Sequence, residues 1–90
     1  MGDDRPGSVA KRSGEVSSTG LRMLEVLERH TRFPWPLFKA QCTQHGFDPS
    51  GVDVAMGRAM VDDLARSLES LTDHATAVRA RAELEAVLSA

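Results

Sequence analysis

Cysteine and histidine are the side chains with the most chemical potential in this 90-residue chain. Cys42 and His45 are three residues apart, so on a helix they would share one face, and Cys-x-x-His spacing is compatible with zinc. His30 and His74 would complete a set of one cysteine and three histidines. The four residues fall on three separate segments without a second locally spaced pair. We therefore expect no metal site, with Cys42 buried as a small apolar residue and the histidines at the surface or at helix ends.

Catalysis would also need more than a neighbouring Cys–His pair. A cysteine nucleophile requires a pocket, donors for an oxyanion and a group that orients the base, and this chain is short for that set. The adjacent carboxylates of Asp62 and Asp63 would point about 100° apart on a helix, so they would not act as a paired acid and base. The sequence contains no glycine-rich phosphate-binding loop. We expect a protein without enzymatic activity, without a cofactor and without a small-molecule substrate.

Composition describes one small domain with a thin core. Only 4% of the residues are aromatic, and the net charge of −2 gives no overall basic signal for nucleic acid. The single cysteine excludes an internal disulfide and suits a reducing compartment. No apolar run approaches the roughly 20 residues of a membrane span. The expected location is the cytoplasm.

Apolar spacing along the chain is typical of helices. The first 18 residues, MGDDRPGSVAKRSGEVSS, hold few bulky apolar side chains, and we expect a disordered tail before a single helical domain over residues 19–90. The segment 65–72 would form a short wing strand only if the third helix ended early. The sequence predicts an all-α fold, a small bundle of about four helices at approximately residues 19–31, 36–45, 49–71 and 73–89.

Prolines and a glycine indicate where the second helix begins and ends. A residue before proline is disfavoured in the α conformation, so Phe33 and Trp35 should be extended, and Pro36 should open the helix. Gly46 can adopt the left-handed conformation that ends a helix, with Phe47 folding back over the last turn.

Caps mark the other helix starts. Ser18 or Thr19 can cap the first helix, Asp48 the third, with Pro49 as its first residue, and the pair Thr72-Asp73 the fourth.

The third helix carries the strongest periodic pattern in the chain. Apolar side chains recur every four residues, and the apolar arc is broader than one neighbouring helix would cover. We therefore predict a non-catalytic protein–protein interaction module that forms a homodimer or docks a partner protein through its third and fourth helices. The residues expected at that interface are Trp35, Met56, Met60, Val61, Leu64, Leu68 and Leu71.

A second interpretation comes from the spacing of Cys42, Gly46 and Val52. The helix-turn-helix family has a small residue, a glycine four positions later and an aliphatic residue six further on. This chain resembles that family over some 20 residues. That resemblance implies a small DNA-binding regulator, winged if 65–72 is a strand, which would read DNA with the segment 36–58. The implied DNA contacts are Lys39, Ser50 and Arg58.

Other residues of the segment argue against DNA binding. Gln41 and His45 stand where such proteins bury aliphatic side chains. Asp48 and Asp53 would approach the phosphates, where binding normally relies on several basic contacts. We therefore prefer a protein partner, with nucleic acid as the alternative.

Overall fold

The computed structural model describes residues 16–89, and within that range the chain is an all-α bundle. A short 3₁₀ turn, Pro49–Gly51, lies between the second and third helices, and no strand is present in the described range. The predicted fold class is confirmed, while residues 1–15 of the predicted tail lie outside the described range. The four helices are α1 (Ser18–His30), α2 (Pro34–His45), α3 (Val54–Leu71) and α4 (His74–Ser89).

The helices α3 and α4 form an antiparallel hairpin, and α1 and α2 pack against it. Arg81 of α4 contacts Asp62 of α3 midway along the hairpin. Near its open end, Gly57 of α3 lets α4 approach closely, because a Cβ there would lie 2.8 Å from a methyl carbon of Leu88. All four helices contribute fully buried side chains to one core, among them Leu27, Phe38, Leu64 and Leu84.

The first helix begins slightly earlier than the sequence predicts. Val16 is buried, and Ser17 caps α1 by accepting a hydrogen bond at 3.0 Å from the amide of Gly20. The Ser17 hydroxyl also donates to the carbonyl of Val52 at 2.5 Å, which ties the start of α1 to the segment before α3. The cap of α1 is therefore Ser17 and not the predicted Ser18 or Thr19, and α1 itself begins at Ser18.

The second helix also begins earlier than predicted. Phe33 is non-helical, with φ −123° and ψ 57°, but Pro34 is the first residue of α2 and Trp35 is helical. Pro34 and Pro36 both lie in the first turn, where backbone amides have no intrahelical acceptor. The bias of a residue before proline is overcome for Trp35, whose ring lies 6.4 Å from that of Phe38 at the edge of the core.

The end of α2 follows the prediction. Gly46 adopts φ 75° and ψ 25°, and its amide donates to the carbonyl of Thr43 at 3.1 Å. The amide of Phe47 donates to the carbonyl of Cys42 at 2.8 Å. These two bonds form a Schellman motif, which satisfies carbonyls that the helix leaves open.

The third helix begins later than predicted. Asp48 accepts a hydrogen bond from the amide of Ser50 at 3.0 Å, but the helix it caps is only the 3₁₀ turn. Val52 is then extended and buried, and Asp53 caps α3 by accepting from the amide of Met56 at 2.9 Å. The predicted start at residue 49 is wrong because the chain has two Asp caps in succession.

The later part of the chain follows the prediction more closely. The helix α3 continues without interruption to Leu71, so no wing strand forms over 65–72. Asp73 then caps α4 as expected, with its carboxylate accepting from the amide of Thr76 at 2.7 Å. None of the helices of residues 16–89 combines the length and apolar character that crossing a bilayer requires.

Candidate functional site

Each histidine of the chain pairs with a different carboxylate instead of joining a metal set. Every pair links two helices: α1 with α4, α2 with α3, and α3 with α4. Within residues 16–89, no group of three or more His, Cys, Asp or Glu side chains is arranged to hold a metal ion. The pairs, with nitrogen–oxygen distances of 2.9–3.0 Å, are His30–Glu83, His45–Asp63 and His74–Glu69.

Cys42 is fully buried between its neighbours in the core. Burial raises the pKa of its thiol to about 11, and the nearby carboxylate of Asp48 adds to the shift. The thiolate is the reactive form of cysteine, so at neutral pH this side chain is a poor nucleophile and a poor metal ligand. The position of Cys42 indicates a packing role.

Polar contacts join α2 to α3 on the inner side of α2. The Nε2 of Gln41 donates to the hydroxyl of Ser67 at 3.3 Å, and one turn later His45 contacts Asp63 at 2.9 Å. The order of the partners shows that α2 and α3 run antiparallel. Gln41 is only 6% exposed, and its Oε1 has no hydrogen-bond partner among the described residues.

This arrangement differs from a helix-turn-helix. In that motif, two helices cross at about 90–120° and are joined by a turn of three or four residues. Here α2 ends at His45 and α3 begins at Val54, so residues 46–53 separate two antiparallel helices. The spacing of Cys42, Gly46 and Val52 therefore occurs without the turn that the resemblance implies.

Two of the three residues predicted to contact DNA, Lys39 and Arg58, do not share one face. Arg58 is exposed and lies about 140° around α3 from Asp63, which marks the side facing α2. Lys39 is exposed and lies about 160° around α2 from Gln41, so it also points away from the contact between the two helices. The hydroxyl of Ser50 donates to Asp48 at 2.9 Å.

Most of the residues predicted at a protein interface pack within the chain itself. Four of the seven are buried in the core that α3 forms with its own neighbours, and these are Met60, Val61, Leu64 and Leu68. Trp35 and Met56 are partly buried against that core. Leu71, at the last position of α3, is 58% exposed. Of the predicted set, Leu71 leaves the most apolar side-chain surface open to a partner.

Leu71 shares a surface groove with Phe33. Phe33 is 61% exposed, and these two are the most exposed large apolar side chains of residues 16–89. The groove has a volume of about 460 Å³ and lies where the α1–α2 corner meets the end of α3. We call this surface the Phe33–Leu71 patch. Its remaining lining residues are Glu28, Arg29, His30, Thr31, Arg32 and Thr72.

The rim of the Phe33–Leu71 patch carries charges of both signs. Arg29 and His30 are held by Glu83 of α4, at 3.1 and 3.0 Å. Glu28 and Arg32 are exposed, and neither has an ion-pair partner among the described residues. The free charges on the rim are therefore one negative and one positive.

The exposure of Phe33 in this patch was not predicted from the sequence, which indicated Phe33 only as the break between two helices. The available signal was its place: an aromatic side chain held extended before a proline that opens a helix lies on a corner, outside the face that either helix buries.

Comparison of the chain with protein-family models, with curated proteins and with solved structures gives no match.

Proposed function

We propose that this chain is a non-catalytic protein-interaction module of the cytoplasm that docks a protein on the Phe33–Leu71 patch. The observation that carries the proposal is that two exposed large apolar side chains line one groove. Single exposed apolar residues are common on protein surfaces, whereas adjoining ones with a polar rim are typical of interaction sites.

The proposal narrows the surface expected from the sequence. The third helix contributes Leu71 at its end, because the other residues of α3 predicted at the interface pack into the core or against it. Phe33 supplies an aromatic side chain, the kind that often dominates binding energy at the centre of an interface.

The strength of docking can be approximated from the two side chains. Fully burying a large apolar side chain contributes about 1.5–3 kcal/mol. Phe33 and Leu71 still expose roughly three fifths of their surface, so together they would contribute about 2–4 kcal/mol. That corresponds to a loss of affinity of about 30-fold to 1,000-fold if both are removed.

A photo-crosslinking amino acid placed at position 33 tests the proposal. Benzoylphenylalanine replaces Phe33 in the full chain inside the producing cells, and adducts formed under ultraviolet light are identified by mass spectrometry. Val78 is the control position, because it is 54% exposed on α4 and lies outside the groove. We expect adducts from position 33 that Leu71→Ser reduces.

The same experiment can refute the proposal. Adducts that form equally from positions 33 and 78, or that persist unchanged in Leu71→Ser, would mean that the patch is not a docking site. If the chain instead has an enzymatic or nucleic-acid-binding function, that function would use a surface other than this patch.

A further inference from the structure

The charges on the rim of the Phe33–Leu71 patch restrict what can occupy it. Glu28 stands in the last turn of α1, and Arg32 lies just before Phe33. A partner with a strongly acidic surface would place like charge beside Glu28, and a strongly basic one would do so beside Arg32. The patch therefore favours a partner that presents both signs around an apolar centre.

We infer that the occupant is a second copy of this chain, bound through the same patch across a twofold axis; this inference rests on the proposed function. In a twofold interface, the same surface serves both partners and must be self-complementary. An apolar centre is complementary to itself, so Phe33 and Leu71 satisfy the condition. Glu28 of each copy would face Arg32 of the other, which forms two reciprocal ion pairs.

The interface is small. Stable specific interfaces bury about 800 Å² on each partner, and the Phe33–Leu71 patch exposes only two large apolar side chains. The dimer should therefore be weak, with a dissociation constant on the order of 10⁻⁵–10⁻³ M. It should form and dissociate as the concentration of the protein changes.

Charge reversal provides a sharp test of the reciprocal pairs. In Glu28→Arg, two arginines face each other at each contact, and in Arg32→Glu, two glutamates do. In a 1:1 mixture of the two variants, each arginine of one chain faces a glutamate of the other. Both substitutions lie at exposed positions without ion pairs among the described residues, so the fold should be unaffected.

The measurement is sedimentation equilibrium of the full chain between about 10 µM and about 1 mM, a range that brackets the expected dissociation constant. We expect each single variant to dimerise about tenfold more weakly than the wild type. The mixture should recover the wild-type affinity as a heterodimer. Leu71→Ser should abolish the dimer, whereas the control Val78→Ser should leave it unchanged. Circular dichroism verifies that every variant is folded.

Two results overturn the inference. One is a monomeric mass for the wild type across the whole range, and the other is a mixture that associates no better than its two components alone. If crosslinks from position 33 then reach a different protein and depend on Leu71, the docking function stands and only self-association fails. If those specific crosslinks are absent as well, both proposals fail.

Discussion

Truncating each of two leucines in the last turn of α3 distinguishes a buried position from an exposed one. Leu68 and Leu71 are three residues apart on the same helix, and the sequence places both on the interface. In the structure Leu68 is 0% exposed and Leu71 is 58% exposed. We predict that Leu68→Ala strongly destabilises the folded chain and that Leu71→Ala hardly changes its stability.

The expected magnitudes differ severalfold. Replacing a fully buried leucine by alanine costs about 2–5 kcal/mol, because transfer energy is lost and a cavity remains. At about 0.05–0.15 kcal/mol per residue, the whole 90-residue chain has roughly 5–13 kcal/mol of stability. Leu68→Ala should therefore lower the melting temperature by about 10–30 °C. Leu71→Ala should change the free energy of unfolding by less than about 1 kcal/mol.

Urea unfolding followed by far-ultraviolet circular dichroism measures both effects. The protein concentration should be about 1 µM or lower, well below the expected dissociation constant, so that a weak dimer contributes little to the transition. Equal losses of stability in the two variants would contradict the burial of Leu68 and the exposure of Leu71 on α3. A loss below about 1 kcal/mol in Leu68→Ala would contradict its place in the core.

Three further predictions concern polar and titratable side chains. Gln41→Met should raise the free energy of unfolding by about 0.5–1 kcal/mol, because removing a buried carbonyl that lacks a partner outweighs losing the long 3.3 Å hydrogen bond to Ser67. The exposed Gln44→Met is the control, and a loss of stability in urea unfolding would contradict the reasoning. Cys42 should react with a disulfide reagent at pH 8 roughly a hundredfold more slowly in the native than in the unfolded chain, since a pKa of about 11 against 9.0 leaves little thiolate. Fast native labelling would contradict its burial. The hydrogen bond from His30 lowers the pKa of Glu83, so the stability that Glu83 contributes is present above its ordinary value of 4.5 and is lost as pH falls through its lowered pKa. The difference in unfolding free energy between the wild type and Glu83→Gln should shrink on acidification below 4.5, and a difference that stays constant would exclude this linkage.

Local signals in the sequence predicted several helix boundaries, and others needed the tertiary structure. Gly46 was sufficient to end α2, because a left-handed residue before Phe47 satisfies the helix carbonyls in one step. Asp48 and Asp53 are both competent caps, and the choice between them depends on Val52 entering the core between the two. Trp35 shows a similar effect, since packing outweighs a local conformational bias.

The candidate site was less predictable than the fold. Leu64 and Leu68 lie on the apolar face that the periodic pattern indicates, but periodicity does not say whether such a face packs within one chain or between two. The groove that joins Phe33 to Leu71 brings together residues 38 positions apart in sequence. That proximity depends on how the helices pack, and no local pattern encodes it.

The polar contacts between α2 and α3 also have a consequence for register. Sliding α2 by one turn, about 5.4 Å, would set the amide of Gln41 beside Leu71 in one direction, or His45 beside Ala59 in the other. Either slip leaves a polar group opposite an apolar one, whereas purely apolar helices could exchange such alignments at little cost. Because α2 runs antiparallel to α3, the same alignment sets how far Phe33 stands from Leu71. Gln41 and His45 thus fix the dimensions of a surface that neither of them touches.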